Sequence, residues 1–241
     1  VKQAKLHYTF SLHTTCLLAL IFTICACQPQ QTEMIPTPAT AITPKSYLAL
    51  GDSYTIGQGV SATERFPAQT AQWLQQRGII IGTLTYIATT GWTTTNLQNA
   101  LNNQNPAPHD VVTLLIGVND QYQTRDTTGY RQRFTVLLQR SIELARGKKE
   151  NVVVLSIPDY SVTPFASFND TARIRRELDL FNAINKEVTL SHRISYLDIT
   201  PSTRDARTNP ALIATDGLHP SGLEYRKWAE RLGPLLEASL K

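Results

Sequence analysis

Residues 47–60 read YLALGDSYTIGQGV. Tyr47 to Leu50 is a short apolar run, and Gly51-Asp52-Ser53 breaks it. This is the signature of a buried strand that runs into a turn. A serine just beyond such a strand is a common place for a hydrolytic nucleophile. The usual elbow for one is G-x-S-x-G, yet Thr55 stands two residues after Ser53, and the elbow occurs nowhere in the chain. The following GQGVSA, residues 57–62, matches the dinucleotide fingerprint G-x-G-x-x-G/A. That motif needs its first glycine at the strand end and an acid near the end of the second strand. Here the glycines come late, and no Asp or Glu lies between Glu64 and Asp110. They read as loop glycines.

Further strands are expected at LTYIA (84–88), VVTLLIG (111–117), VVVLSIP (152–158) and ISYLDI (194–199). Most are unbroken apolar runs, the pattern of strands covered on both faces. Helical spacing separates them, over residues 66–77, 94–101, 130–146 and 174–190, and again from about Ser221. Strands alternating with helices give a parallel sheet with helices on both faces. Sites in such sheets lie beyond the C-terminal ends of the strands. There the sequence places Ser53 after the first strand, Thr89 to Trp92 after the second, and Gly117-Val118-Asn119-Asp120 after the third. The loop after the last strand leads to TDGLHP, with Asp216 and His219. No periodicity requires those residue types at those places.

GDSYTIG, the glycine of TTGWTT, GVND and DGLHP together resemble the SGNH hydrolase superfamily, also called GDSL esterases/lipases. The four blocks fall in the family's order and span the chain from about Ser46 onward. Tyr54 replaces the leucine of the GDSL name, but it follows the nucleophile position. Gly82 and Gly91 both flank the second strand, and Gly91 is the better match because it lies past the strand's C-terminal end. The resemblance implies a flavodoxin-like three-layer α/β/α sandwich with a five-stranded parallel sheet. It also explains the missing elbow, since the family keeps its nucleophile in a Gly-Asp-Ser turn.

The implied chemistry is ester hydrolysis by Ser53, His219 and Asp216. A serine hydroxyl is a poor nucleophile unless a base stands beside it, and His219 is the base, with Asp216 fixing its tautomer. The resemblance assigns the oxyanion donors to the Ser53 amide, the Gly91 amide and the Asn119 side chain. Asp52 and Asp120 read as structural. No cofactor is implied. The histidines His109, His192 and His219 are widely spaced, without H-E-x-x-H or a later cysteine, so no metal site is expected. Expected substrates are short-acyl esters, acetylated sugars or lysophospholipids. The rival reading is a non-catalytic surface lipoprotein that uses the fold for binding. The stretch DYSVTPFASFND, residues 159–170, carries Tyr160, Phe165 and Phe168. Its aromatics form either a low wall beside Ser53 or part of the core.

The 41% hydrophobic content of the 241 residues suits a globular domain with a real core. Formal charge is +4, but Lys2 and Lys5 belong to a leader; removing them from 23 leaves 21 basic against 19 acidic residues. That balance gives no nucleic-acid face. A basic start is followed by the apolar run CLLALIFTICAC, residues 16–27, the length of a signal-peptide core and too short to span a bilayer, so residues 1–26 are expected to be a lipoprotein signal peptide. ICAC, residues 24–27, resembles a bacterial lipobox and implies acylation of Cys27; plain cleavage after Ala26, releasing a soluble protein, is the alternative. All three cysteines lie at or before residue 27, so an exported domain beyond it has no internal disulfide. Residues 27–45 then form a lipidated cysteine and a proline-rich flexible tether, and 46–241 the hydrolase domain. The expected place is the bacterial cell envelope, held to a lipid bilayer by the acyl anchor. Gln28 after the cysteine resembles lipoproteins sent to an outer membrane.

Overall fold

The computed structural model describes His7 and residues 43–241. The leader, Cys16, Cys25, Cys27 and most of the tether lie outside the described residues. Five strands form one sheet: β1 Lys45–Gly51, β2 Ile81–Ala88, β3 Val111–Leu115, β4 Val152–Leu155 and β5 Ser195–Leu197. Their spatial order is β2-β1-β3-β4-β5, and every pair is parallel. β1 starts two residues before its apolar run, where Lys45 pairs with Ile81. β3 and β4 stop sooner than their apolar runs. After β4 the chain binds another element: the Ile157 amide donates to the Asn182 side chain, and its carbonyl accepts from Thr200 Oγ1.

Among the described residues eight α-helices follow or flank the strands: α1 Ser53–Ile56, α2 Phe66–Gln75, α3 Thr94–Gln104, α4 Val118–Gln123, α5 Thr127–Leu144, α6 Thr171–Ser191, α7 Thr200–Thr203 and α8 Gly222–Leu240. The long ones are amphipathic. α5 buries Tyr130, Phe134, Leu137, Leu138 and Leu144, a stripe at helical spacing. Asp126 caps it by accepting from the Gly129 amide, and Asp170 caps α6 through the Arg173 amide. α2 and α8 form one layer, joined where the Phe66 ring lies 5.8 Å from Trp228. α3, α5 and α6 form the other, with Tyr130 and Phe181 4.7 Å apart. This is the three-layer α/β/α sandwich with a five-stranded parallel sheet.

The register positions the site. Gly51 pairs with Ala88 on one side and Leu115 on the other, so β1, β2 and β3 end at one level. The chain leaves β1 toward β2 and later returns on the opposite side as β3. The topological switch point, where open α/β sheets bind ligands, is therefore at the end of β1. Ser53 sits there. Gly117, after β3, has φ +130°, and a Cβ on it would stand 2.7 Å from the Tyr130 ring. Only glycine makes that bend, which turns the chain into α4 and presents Asn119 beside Ser53.

Candidate active site

Asp52 and Ser53 open α1. The Asp52 side chain accepts from the Tyr54 amide at 3.0 Å and caps this single helical turn. Asp52 is fully buried, and its second oxygen has no partner. Burial pushes its carboxyl up to about 8, opposed by the Tyr54 amide and reinforced by the charge of Asp120. Asp52 therefore belongs to the scaffold beneath the serine. Asp120 holds the next layer. It accepts from the Thr94 amide at 2.8 Å and the Thr94 hydroxyl at 2.5 Å, and Arg133 lies 3.2 Å away. This ties the start of α4 to α3 and α5.

A cavity of about 100 Å³ opens at the strand ends, lined by Ser53, Asn119 and His219 together with Tyr54, Val118, Tyr122, Tyr160, Phe165 and Leu218. His219 Nδ1 lies 2.7 Å from Asp216 Oδ2. The other oxygen of Asp216 accepts from the amides of Leu218 and His219 at 2.9 and 3.0 Å. Burial works against the Asp216 charge, but those two amides and the imidazole outweigh it and hold its carboxyl below the ordinary value. Asp216 is thus kept ionised behind His219, away from the cavity. The Tyr54 ring packs edge-on against the imidazole, with centroids 5.4 Å apart.

Ser53 and His219 share the cavity without a direct hydrogen bond among the described residues. Such contacts tighten when substrate binds. Asn119 Nδ2 donates to the Trp92 carbonyl at 3.0 Å, which uses one of its two N–H groups and leaves one free for a ligand. Gly91 does not line the cavity. It is exposed on the loop after β2, and its carbonyl accepts from Gln123 Nε2 at 3.2 Å. The loop carrying Gly91 is thus tethered to α4 at two points.

Several contributors were hidden from sequence reasoning. Gly59, one of the late glycines after Ser53, has φ +83°, and a Cβ there would stand 2.9 Å from both Asp216 Oδ2 and the Ala214 side chain. It lets the loop after α1 pack against the carboxylate that is bonded to His219. Tyr122 lines the cavity from α4, three residues after Asn119 and hence on the same helical side. In the loop after β4, Tyr160 and Phe165 line the cavity, but Phe168 is 100% exposed and does not. The Phe165 amide donates to the Gly217 carbonyl at 3.0 Å, which joins this loop to the one carrying Asp216 and His219. Among the described residues no group of three or more His, Cys, Asp or Glu is arranged to hold a metal.

Comparison with known proteins places this arrangement. Residues 49–227 match the model of the GDSL-like lipase/acylhydrolase family. No curated protein matches the sequence. Among solved structures, a lipolytic G-D-S-L family member from Veillonella parvula superposes with a TM-score of 0.59 at 20% identity, over 77% of this chain and 94% of that one. A lipase/acylhydrolase from Enterococcus faecalis gives 0.59 at 18% identity, over 81% and 95%. An acetylxylan esterase from Geobacillus stearothermophilus gives 0.60 at 19% identity, over 81% and 95%. At those identities the superpositions establish the fold, and the family match establishes the kinship. The chain belongs to the GDSL-like lipase/acylhydrolase family and is an ester hydrolase of the GDSL type.

Proposed function

We propose that the protein is a serine esterase acting on short-acyl carboxylic esters through Ser53, His219 and Asp216. The observation that carries this reading is the His219–Asp216 contact of 2.7 Å, set in the cavity that Ser53 and Asn119 line. Asp216 accepts Nδ1–H and leaves Nε2 unprotonated toward the cavity, the tautomer a general base needs. Nε2 takes the Ser53 proton as Oγ attacks the ester carbonyl. The tetrahedral oxyanion is stabilised by the free Asn119 N–H and the Ser53 amide; the Gly91 amide, outside the cavity lining, joins them only if its loop moves inward when substrate binds. His219 then protonates the departing alcohol, and water enters by the same steps in reverse to release the acid. A pure binding role has no use for a carboxylate–imidazole pair that shares its cavity with a serine, so it is the weaker reading. On the sequence, Cys27 remains the proposed point of acylation and the cell envelope the proposed location.

The short-acyl preference follows from the cavity. At about 100 Å³ it holds only a few carbon-sized groups. One of its walls, Tyr122, is 55% exposed, so the cavity is open on that flank. Each buried CH₂ stabilises a bound chain by about 0.8 kcal/mol, but only while protein surrounds it. The expected result is higher kcat/KM on acetyl to hexanoyl esters than on palmitoyl esters, measured with monomeric substrates. A rate that climbs steadily to the longest chains would contradict the open site.

A further inference from the structure

The walls of the cavity also bear on the alcohol half of the ester. His219 protonates the departing oxygen in the proposed mechanism, so the alcohol must lie on the His219 side. Phe165 occupies that side, since its amide is bonded to Gly217 in the His219 loop and it lines the cavity with Leu218. Phe165, Tyr122 and Tyr160 touch one another in a triangle, each pair of ring centroids 6.3 Å apart at steep angles. Rings so close pack against each other and leave no gap for a guest between them, so they form a continuous wall.

The wall is held in place from behind. Tyr160 donates its hydroxyl to Gln121 Oε1 at 3.0 Å, and Gln121 Nε2 donates to Glu177 at 2.6 Å. Arg125 and Arg173 flank Glu177 at 3.4 and 3.7 Å. The cavity itself is uncharged: among the described residues that line it there is no Lys, Arg, Asp or Glu. The nearby Asp159 is buried and already engaged by Arg204 at 2.8 Å. An anionic alcohol would find no cation here, and a cationic one no carboxylate to offset its desolvation. A flexible chain would lie on a wall that covers only one side of it. A rigid ring can stack on the exposed Phe165 face and lose little conformational freedom in doing so.

We infer that Phe165, backed by Tyr122 and Tyr160, forms an alcohol-side subsite that selects esters of uncharged ring-bearing alcohols, an aryl or a neutral pyranose ring. This inference rests on the serine-esterase reading. The test uses the full chain and a set of acetate esters of primary alcohols, each rate divided by that ester's own alkaline hydrolysis rate. The set is benzyl acetate, a methyl glucoside acetylated at its primary hydroxyl, n-hexyl acetate, acetylcholine and acetyl isethionate. At least one ring ester should exceed n-hexyl acetate in kcat/KM by about 3- to 10-fold, and both charged esters should fall below it. Phe165→Leu should bring the ring-to-hexyl ratio toward unity, and Phe165→Tyr should preserve it. Preference for benzyl acetate alone identifies an aryl alcohol; preference for the glucoside alone identifies an acylated carbohydrate. Equal rates on ring and hexyl esters, a preference for either charged ester, or a ratio unmoved by Phe165→Leu overturns the subsite while leaving the esterase reading intact. Failure to hydrolyse any of the esters overturns both.

Discussion

His219→Ala lowers kcat by on the order of 10³-fold or more, and Ser53→Ala lowers it by a similar factor, with KM changed far less. The magnitude follows from the way the two groups act. Ser53 alone is a neutral hydroxyl, and without a base its nucleophilicity is negligible. His219 alone is an imidazole with no alcohol to deprotonate. Each removal therefore abolishes the same proton transfer, and the double variant should be hardly worse than either single one. The contact between Tyr54 and the imidazole is lost in His219→Ala, so the variant's far-UV and near-UV spectra should be compared with the parent's. A folded His219→Ala protein retaining activity within tenfold of the parent would show that another base serves Ser53.

Asn119→Ala lowers kcat by about 10²–10³-fold, the effect of removing one preorganised oxyanion donor. Its side chain has two N–H groups; one holds the Trp92 carbonyl, and in the proposed mechanism the other meets the charge that develops on the substrate oxygen. An interaction made only in the transition state appears in kcat and kcat/KM equally. Loosening of the Gly91 loop, which the bond to Trp92 restrains, would add to the loss in the same direction. If instead KM alone rises, Asn119 contacts the ground-state substrate and the oxyanion assignment is wrong.

The fold was legible because parallel strands buried on both faces leave unbroken apolar runs, and all five runs are strands. The long helices were legible from their spacing. The short ones were not: α1, α4 and α7 have 4, 6 and 4 residues, too few for a periodicity to show. Ser53, Asn119, His219 and Asp216 could be found since strand ends in such a sheet converge, and the register of β1, β2 and β3 makes them converge at one level. The rest of the site depends on contacts between distant residues. Gly59 looks like any loop glycine until Asp216 is seen against it. Tyr122 lies on a helix that the sequence does not announce. Phe168 has the same character as Phe165 in sequence, yet one reaches solvent and the other the cavity, because the backbone of Phe165 is pinned to Gly217.

In the proposed mechanism Ser53 is the activated nucleophile. That role is tested most directly by treating the full chain with a fluorophosphonate probe and locating the adduct by peptide mass spectrometry. A single covalent adduct on Ser53 is expected, formed quickly in the parent, slowly in His219→Ala and not at all in Ser53→Ala. An adduct on a different serine, or ester hydrolysis that survives in Ser53→Ala, would contradict it.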